Sequence, residues 1–345
     1  MEDLSQKYST EKACLTKVRV SLGTAVVLGL HEGLLMVPPT TGYILLSSSD
    51  GCLGACGFCP QAQSSHCNPD QLSRVAWPSF SLLETARAIG KAWRNKKLYR
   101  VCIQTTNYDN YLDDLLELVR TIHNSAAIPI SISSLPLSKD EFKALKGAGV
   151  QRIGIALDAA TPELFSEVKG IKAGGPYRWK THLSALSDAQ EVFGKNRVTT
   201  HLIIGLGETE KQACEFIQHS IDQGIRVGLF AFTPIPGTRF ESKKPPKLDA
   251  YRRIQLARAL IHEKHAKVED FEFNEIEQIS SFGITWTDVR DLVTSGRPFQ
   301  TTGCSACNRP FYNESVRGPW YNFPRRLTAD EVSDILQDLM KQELF

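Results

Sequence analysis

A chain of 345 residues, 42% of them hydrophobic and 23% charged, can bury a large core and has the balance of an ordinary globular protein. Its formal net charge of +2 is too near neutral for a general nucleic-acid binder. The longest apolar stretch, residues 21–37, is broken by His31, Glu32 and three glycines and is too short to span a bilayer, so no membrane association is expected. The first ten residues also lack the basic-then-apolar pattern of a secretory leader. A reducing cytoplasm is the expected compartment. Nine cysteines there point to metal or redox chemistry more than to disulfides.

From about residue 40, short β-branched runs alternate with longer helical patterns. The runs at 42–47, 99–105, 128–134, 152–157, 198–204 and 225–232 predict strands. Between them, residues 79–95, 111–125, 138–147, 180–193 and 209–224 predict helices, and Ser138 followed by Glu141 fits a capping box. Repeated β–α units imply parallel strands with right-handed crossovers, hence an α/β fold with a full or partial TIM-like barrel. Chemistry is then expected at the C-terminal strand ends. The organisation expected is an N-terminal extension over 1–39, a barrel over 40–280, and a C-terminal segment over 281–345 that carries a Cys pair and a final helix at 328–344.

Directly after the first barrel strand come Cys52, Cys56 and Cys59, separated by Gly54, Ala55, Gly57 and other residues. Thiolates are the normal ligands of iron–sulfur clusters. Three of them can wrap one cubane and leave its fourth iron open, as catalytic metal sites require. A zinc loop with a distant fourth ligand is the structural alternative. The Cys-x3-Cys-x2-Cys spacing, with Phe58 before the last Cys, resembles the radical S-adenosylmethionine superfamily. That resemblance implies a radical SAM barrel and a [4Fe–4S] cluster whose open iron binds S-adenosylmethionine and cleaves it to a 5′-deoxyadenosyl radical. It also implies that Phe58 packs near the adenine.

Cys59-Pro60-Gln61, Asp158 with Thr161-Pro162-Glu163, and Gly205-Leu-Gly207-Glu208-Thr209 resemble the biotin synthase group. By that resemblance Asp158 contacts the S-adenosylmethionine ribose or the substrate, Gly205 and Glu208 shape the pocket, and Lys180 meets the methionyl carboxylate. The ordinary readings are a strand-end turn for the glycine run at Gly205 and Gly207 and a helix N-terminal carboxylate for Glu208. Biotin synthase carries a second, sulfur-donating cluster on three Cys and one Arg. Here only Cys102 matches; the other positions read Ser131, Thr199 and Glu272.

Replacement ligands lie in the tail, at Cys304 and Cys307 within Gly303-Cys-Ser-Ala-Cys-Asn-Arg-Pro310. Folded over the barrel mouth, they join Cys102 around an auxiliary iron–sulfur cluster that Ser131, Ser305 or an outside sulfur completes. A zinc turn or an inert pair is the alternative. This tail, continuing through Tyr321-Asn-Phe-Pro324-Arg325, resembles a subunit of the two-protein lipoyl synthase. The resemblance implies sulfur insertion into an octanoyl chain on a carrier-protein domain, a second synthase subunit, and a reductant such as ferredoxin or flavodoxin. Trp320, Tyr321 and Phe323 are expected either as a lid or as core. Competing readings are a biotin-synthase-like or other radical enzyme without sulfur insertion, and a non-catalytic metal-binding partner subunit. Cys14 and Cys214 read as small buried hydrophobes, and Cys67 as a free loop thiol or an occasional ligand.

Overall fold

The computed structural model describes residues 15–48 and 51–345, so Cys14 lies outside the described residues. The chain opens with β1 (Lys17–Val20), α1 (Leu22–Leu28) and β2 (Thr41–Leu46). A small hairpin of β3 (Gln71–Leu72) and β4 (Val75–Ala76) leads to β5 (Ser79–Ser81) and α2 (Leu82–Arg94). Strand and helix then alternate: β6 (Arg100–Thr105), α3 (Tyr111–Ser125), β7 (Ile130–Ser134), α4 (Lys139–Gly147), β8 (Val150–Ile155), α5 (Pro162–Val168), α6 (Trp179–Phe193), β9 (Val198–Ile204), α7 (Glu210–Asp222), β10 (Arg226–Ala231) and α8 (Leu248–Glu263). A second hairpin, β11 (Glu272–Phe273) with β12 (Ile279–Ser281), precedes α9 (Trp286–Thr294) and α10 (Ala329–Met340).

Local chemistry sets these boundaries. Ser138, Thr209 and Thr328 each close a capping box at the start of α4, α7 and α10. In α3 the buried Leu115, Leu118, Val119 and Ile122 form one stripe against the sheet. All six residues of β2 are buried, as expected for a strand covered on both faces. Gly149, at φ +106°, turns the chain directly from α4 into β8, which therefore starts two residues before the predicted run. Residues 79–81, predicted as helix, instead pair with β1 as an edge strand, and Ser81 caps α2.

The main sheet runs β10-β9-β8-β7-β6-β2-β1-β5. From β2 to β10 its six strands are parallel and lie in chain order, whereas β1 is antiparallel to both β2 and β5. β1 thus comes from the segment expected to be an extension. β10 and β2 do not pair, so the barrel is partial. The C-terminal tail occupies the gap: Leu229 N–H donates to Thr302 Oγ1 (2.7 Å) on one side, and Thr40 and Thr41 hydroxyls donate to Ala306 O (2.7 Å each) on the other. Residues from β2 and β10 face the same internal cavity, which shows that the sheet is curled around it. No described helix is long and apolar enough to cross a membrane.

Candidate functional site

Cys52, Cys56 and Cys59 follow β2 at the mouth of the barrel. Leu53 N–H donates to Asn107 O (2.8 Å), and Asn107 N–H donates in return to Cys52 Sγ (3.3 Å), which ties the loop to the end of β6. Gly57 N–H donates to Val168 O (2.8 Å) and its carbonyl accepts from Phe240 N–H (2.9 Å). Side chains would be excluded here, because a Cβ on Gly54 would lie 2.8 Å from Tyr177 Oη and one on Gly57 2.7 Å from Phe240 Cζ. Phe58 packs beside Val168, Leu206 and Phe240.

Burial pushes the Cys56 thiol up to about 12; Lys169 opposes the rise, while Asp158 and Cys52 add to it. Burial, then the neighbouring Cys56 and Cys52, raises Cys59 well above its ordinary range. Metal binding must therefore displace protons from closely grouped thiols. The tight glycine cradle, together with backbone N–H groups of Gly54 and Asn107 aimed at Cys52 Sγ, suits an iron–sulfur cluster. Among the described residues no three His, Cys, Asp or Glu side chains are arranged for a single metal ion.

Below the loop lies a buried ion pair that was only half visible in the sequence. Asp158 adopts φ +66° just beyond β8, with its N–H on His201 O (2.9 Å) and its carbonyl accepting from Ile203 N–H (3.0 Å). Its carboxylate accepts from Lys169 Nζ at 2.7 Å, and both residues are 6% exposed. Lys169 also donates to Ala156 O (2.9 Å) and lies 5.1 Å from the Tyr177 ring centroid. Burial pulls Lys169 down, but Asp158 and Cys56 outweigh it and the net direction is upward.

Lys180, expected at this place, is instead exposed on the first turn of α6. Lys169 is the cation that the structure brings to the cysteines, because α5 ends against Gly57 and delivers its next residue inward. The available signal was Thr161-Pro162, an N-cap with Pro at N1 that opens α5. Glu208 uses its carboxylate locally, accepting from the N–H groups of Gly205 (2.6 Å), Leu206 (3.1 Å) and Gly207 (3.2 Å). Burial still raises its pKa. Gly205 sits at φ +104°, and a Cβ there would meet Pro246 Cδ at 2.8 Å, so Gly205 and Glu208 together hold a turn in the mouth wall.

The second cysteine group lies deeper. Cys102 is central in β6, opposite Tyr43 on β2 and Ser131 on β7. It sits three residues, roughly 10 Å, below the end of its strand. Ser131 Oγ donates to Cys304 Sγ (3.4 Å), Tyr43 Oη lies 3.5 Å from Cys307 Sγ, and Gln104 Nε2 donates to Cys102 Sγ (3.1 Å). Burial, then Cys304 and Cys307, raises the Cys102 thiol. All three cysteines line one cavity of about 120 Å³ within the barrel.

The tail was expected to fold over the mouth to reach Cys102, and it does not. Ser305 O accepts from Arg100 Nε (3.1 Å) and Ala306 O from Thr40 and Thr41, all at the N-terminal ends of strands. Cys304 and Cys307 therefore close the barrel from its base. From there the tail climbs through Arg309, whose guanidinium stacks 3.7 Å from the Phe230 centroid, to Asn313, whose carbonyl accepts from Thr233 Oγ1 (2.7 Å) beyond β10. Tyr321 and Phe323 are core residues, with Tyr321 packed 5.2 Å from Tyr251 of α8, so the aromatic tail is packing and not a lid. Cys67 donates to Pro236 O (3.1 Å) and belongs to neither group, Cys214 is buried in α7, and Glu272 is exposed on the β11 hairpin.

A partial parallel barrel with three thiols at its mouth defines an α/β protein built to present an iron–sulfur cluster to an internal cavity. Residues 46–219, just over half of the chain, match the Radical SAM superfamily, and the chain belongs to that superfamily. Its members carry a [4Fe–4S] cluster, bind S-adenosylmethionine and draw on a reductant. Relatives include a biotin synthase from Chlamydia pneumoniae, 24% identical and covering 67% of this chain and 68% of that one. A GTP 3′,8-cyclase from Listeria monocytogenes is 26% identical, covering 59% of this chain and 58% of its own length. Among solved structures, the FeFe-hydrogenase maturase HydG from Carboxydothermus hydrogenoformans has 21% identity and a TM-score of 0.49, covering 66% of this chain and 52% of that one.

Proposed function

We propose that the chain is a sulfur-inserting radical enzyme of the lipoyl synthase type, which adds sulfur to an octanoyl chain on a carrier-protein domain. The observation that carries this reading is the convergence of Cys102, Cys304 and Cys307 on one cavity inside the barrel, beneath the mouth cysteines. Cys52, Cys56 and Cys59 would hold a [4Fe–4S] cluster, which with S-adenosylmethionine would supply the hydrogen-abstracting chemistry. Cys102, Cys304 and Cys307 would hold an auxiliary cluster that would supply sulfur, with Ser131, 3.4 Å from Cys304 Sγ, placed to complete it.

The chain's own residues do the rest. Lys169 and Asp158 offer a cation and an anion beside the mouth thiols for the charged ends of S-adenosylmethionine. Ile132, Ile153, Phe230 and Trp77 line the cavity with apolar surface that suits an acyl chain. Burial pushes His201 down to about 4, so at neutral pH it adds no charge to that lining. An enclosed interior keeps water from an alkyl radical. The partners this reading brings are a ferredoxin- or flavodoxin-like reductant and a second synthase subunit.

The test is an anaerobic assay with an octanoylated carrier domain, S-adenosylmethionine and reductant, read by mass spectrometry. The expected result is product with added sulfur, present with the native chain and absent with Cys304→Ala, while both cleave S-adenosylmethionine. Cleavage without sulfur incorporation under any carrier condition overturns the reading. A radical enzyme that inserts no sulfur is the second reading, favoured by the Listeria relative whose name describes a cyclisation.

A further inference from the structure

Arginines stand at or near the N-terminal ends of four barrel strands: Arg100 and Arg226 open β6 and β10, Arg152 is third in β8, and Arg197 precedes β9. Cys102, Gly154, Thr199 and Gly228 all line the cavity. Arg100, Arg152, Arg197 and Arg226 each stand two residues earlier and hence on the same face of β6, β8, β9 and β10 or of the residue leading into them. Interiors of such barrels are ordinarily filled by Val, Ile and Leu. Arg197 is exposed and Arg152 also donates to Asn196 O (2.6 Å), but Arg100 is buried and Arg152 and Arg226 are half-buried, and guanidiniums gathered there are costly without an anion to face.

None of the ion pairs among the described residues engages these four. Arg226 Nε is buried without a hydrogen-bond partner. Arg100 Nη1 donates to Ser131 Oγ (2.9 Å), which donates in turn to Cys304 Sγ, so Arg100 reaches the base cysteines through one hydroxyl. Ser131 also stands opposite Arg152 in the β7–β8 register. Burial lowers the Arg152 pKa; Cys304 opposes that, and Arg226, Arg100 and Arg197 add to it, so Arg152 lies within electrostatic reach of both Cys304 and the other arginines.

We propose that Arg152 and Arg226, with Arg100, form an anion site at the base of the barrel that holds the negative charge of a thiolate-ligated iron–sulfur cluster on Cys102, Cys304 and Cys307. The inference rests on the two-cluster reading. Without an anion the arginines repel one another, and no carboxylate among the described residues pairs with them. Cluster and arginines therefore stabilise each other, and the site retains an anionic cluster better than neutral metal.

The experiment compares the native chain with Arg152→Gln/Arg226→Gln after anaerobic reconstitution and desalting. Iron is expected to fall from about eight per chain to about four, with S-adenosylmethionine cleavage retained. The melting temperature of the metal-free double variant should be equal to or above that of the metal-free native chain, because a repulsion is removed; a purely structural role would lower it. Arg226→Lys, which keeps the charge, should recover most of the iron. Unchanged iron in the double variant, or a metal-free variant destabilised in step with its iron loss, overturns the proposal. A native chain with only about four irons defeats the two-cluster reading itself, and the arginine site with it.

Discussion

The two cysteine groups differ in how they are built. At the mouth, Cys52, Cys56 and Cys59 lie within eight residues on a loop held by backbone hydrogen bonds to Asn107, Val168 and Phe240. At the base, Cys102 comes from the middle of a strand, while Cys304 and Cys307 arrive some two hundred positions later and close a gap that the sheet leaves between β10 and β2. The mouth group is a local solution that tolerates little change in its loop. The base group exists only when the whole barrel and its tail have folded. Charge follows the same division, with one buried Lys–Asp pair at the mouth and an unpaired set of arginines at the base.

Mutation should separate the groups. The largest effect is expected from Cys56→Ser, which removes S-adenosylmethionine cleavage to background in an anaerobic 5′-deoxyadenosine assay; Cys307→Ala should leave cleavage in place. Next comes Lys169→Met, which strands the Asp158 carboxylate in the interior and should cost about 3–5 kcal/mol by urea denaturation. Adding Asp158→Asn should recover most of that loss. The folded Lys169 has a raised pKa, so its contribution is fully present at neutral pH. That contribution is lost only as pH rises above the ordinary lysine value of about 10.4 and through the folded one.

A smaller effect falls on the mouth wall at acid pH. His182, 2% exposed, donates from Nδ1 to Arg178 O (3.0 Å), and burial, reinforced by Lys169, lowers it to about 4. The unfolded chain binds the proton first, so stability should fall as pH drops from about 6.5 toward 4, by up to about 3 kcal/mol. His182→Gln should flatten urea midpoints across that window. The smallest effect belongs to Lys180→Ala, exposed and away from the thiols, which should change stability by less than about 0.5 kcal/mol and leave S-adenosylmethionine affinity unaltered.

What was legible in the sequence follows the same contrast. The mouth cysteines and six parallel strands were readable because thiol spacing and β-branched runs are local signals. The six parallel strands begin within two residues of the expected runs, whereas the edge strands and the two hairpins had no expected counterpart. Helix α8 escaped because residues from Tyr251 to Ile261 are buried nearly all round, which erases the amphipathic stripe. Lys169 escaped because α5 went unrecognised, and Lys180 took its place on sequence position alone. The tail's cysteines line one cavity with Cys102, but their approach was expected from the wrong end, since nothing local reports which end of a barrel a distant segment closes. The inward arginines also needed the register, because one arginine at a strand start is unremarkable until four share a face.

The most direct test of the account is a count of iron and acid-labile sulfide in anaerobically reconstituted protein, native and Cys304→Ala/Cys307→Ala side by side. Two separate cluster sites predict about eight irons for the native chain and about four for the variant, with S-adenosylmethionine cleavage in both. Equal iron in the two proteins would contradict it.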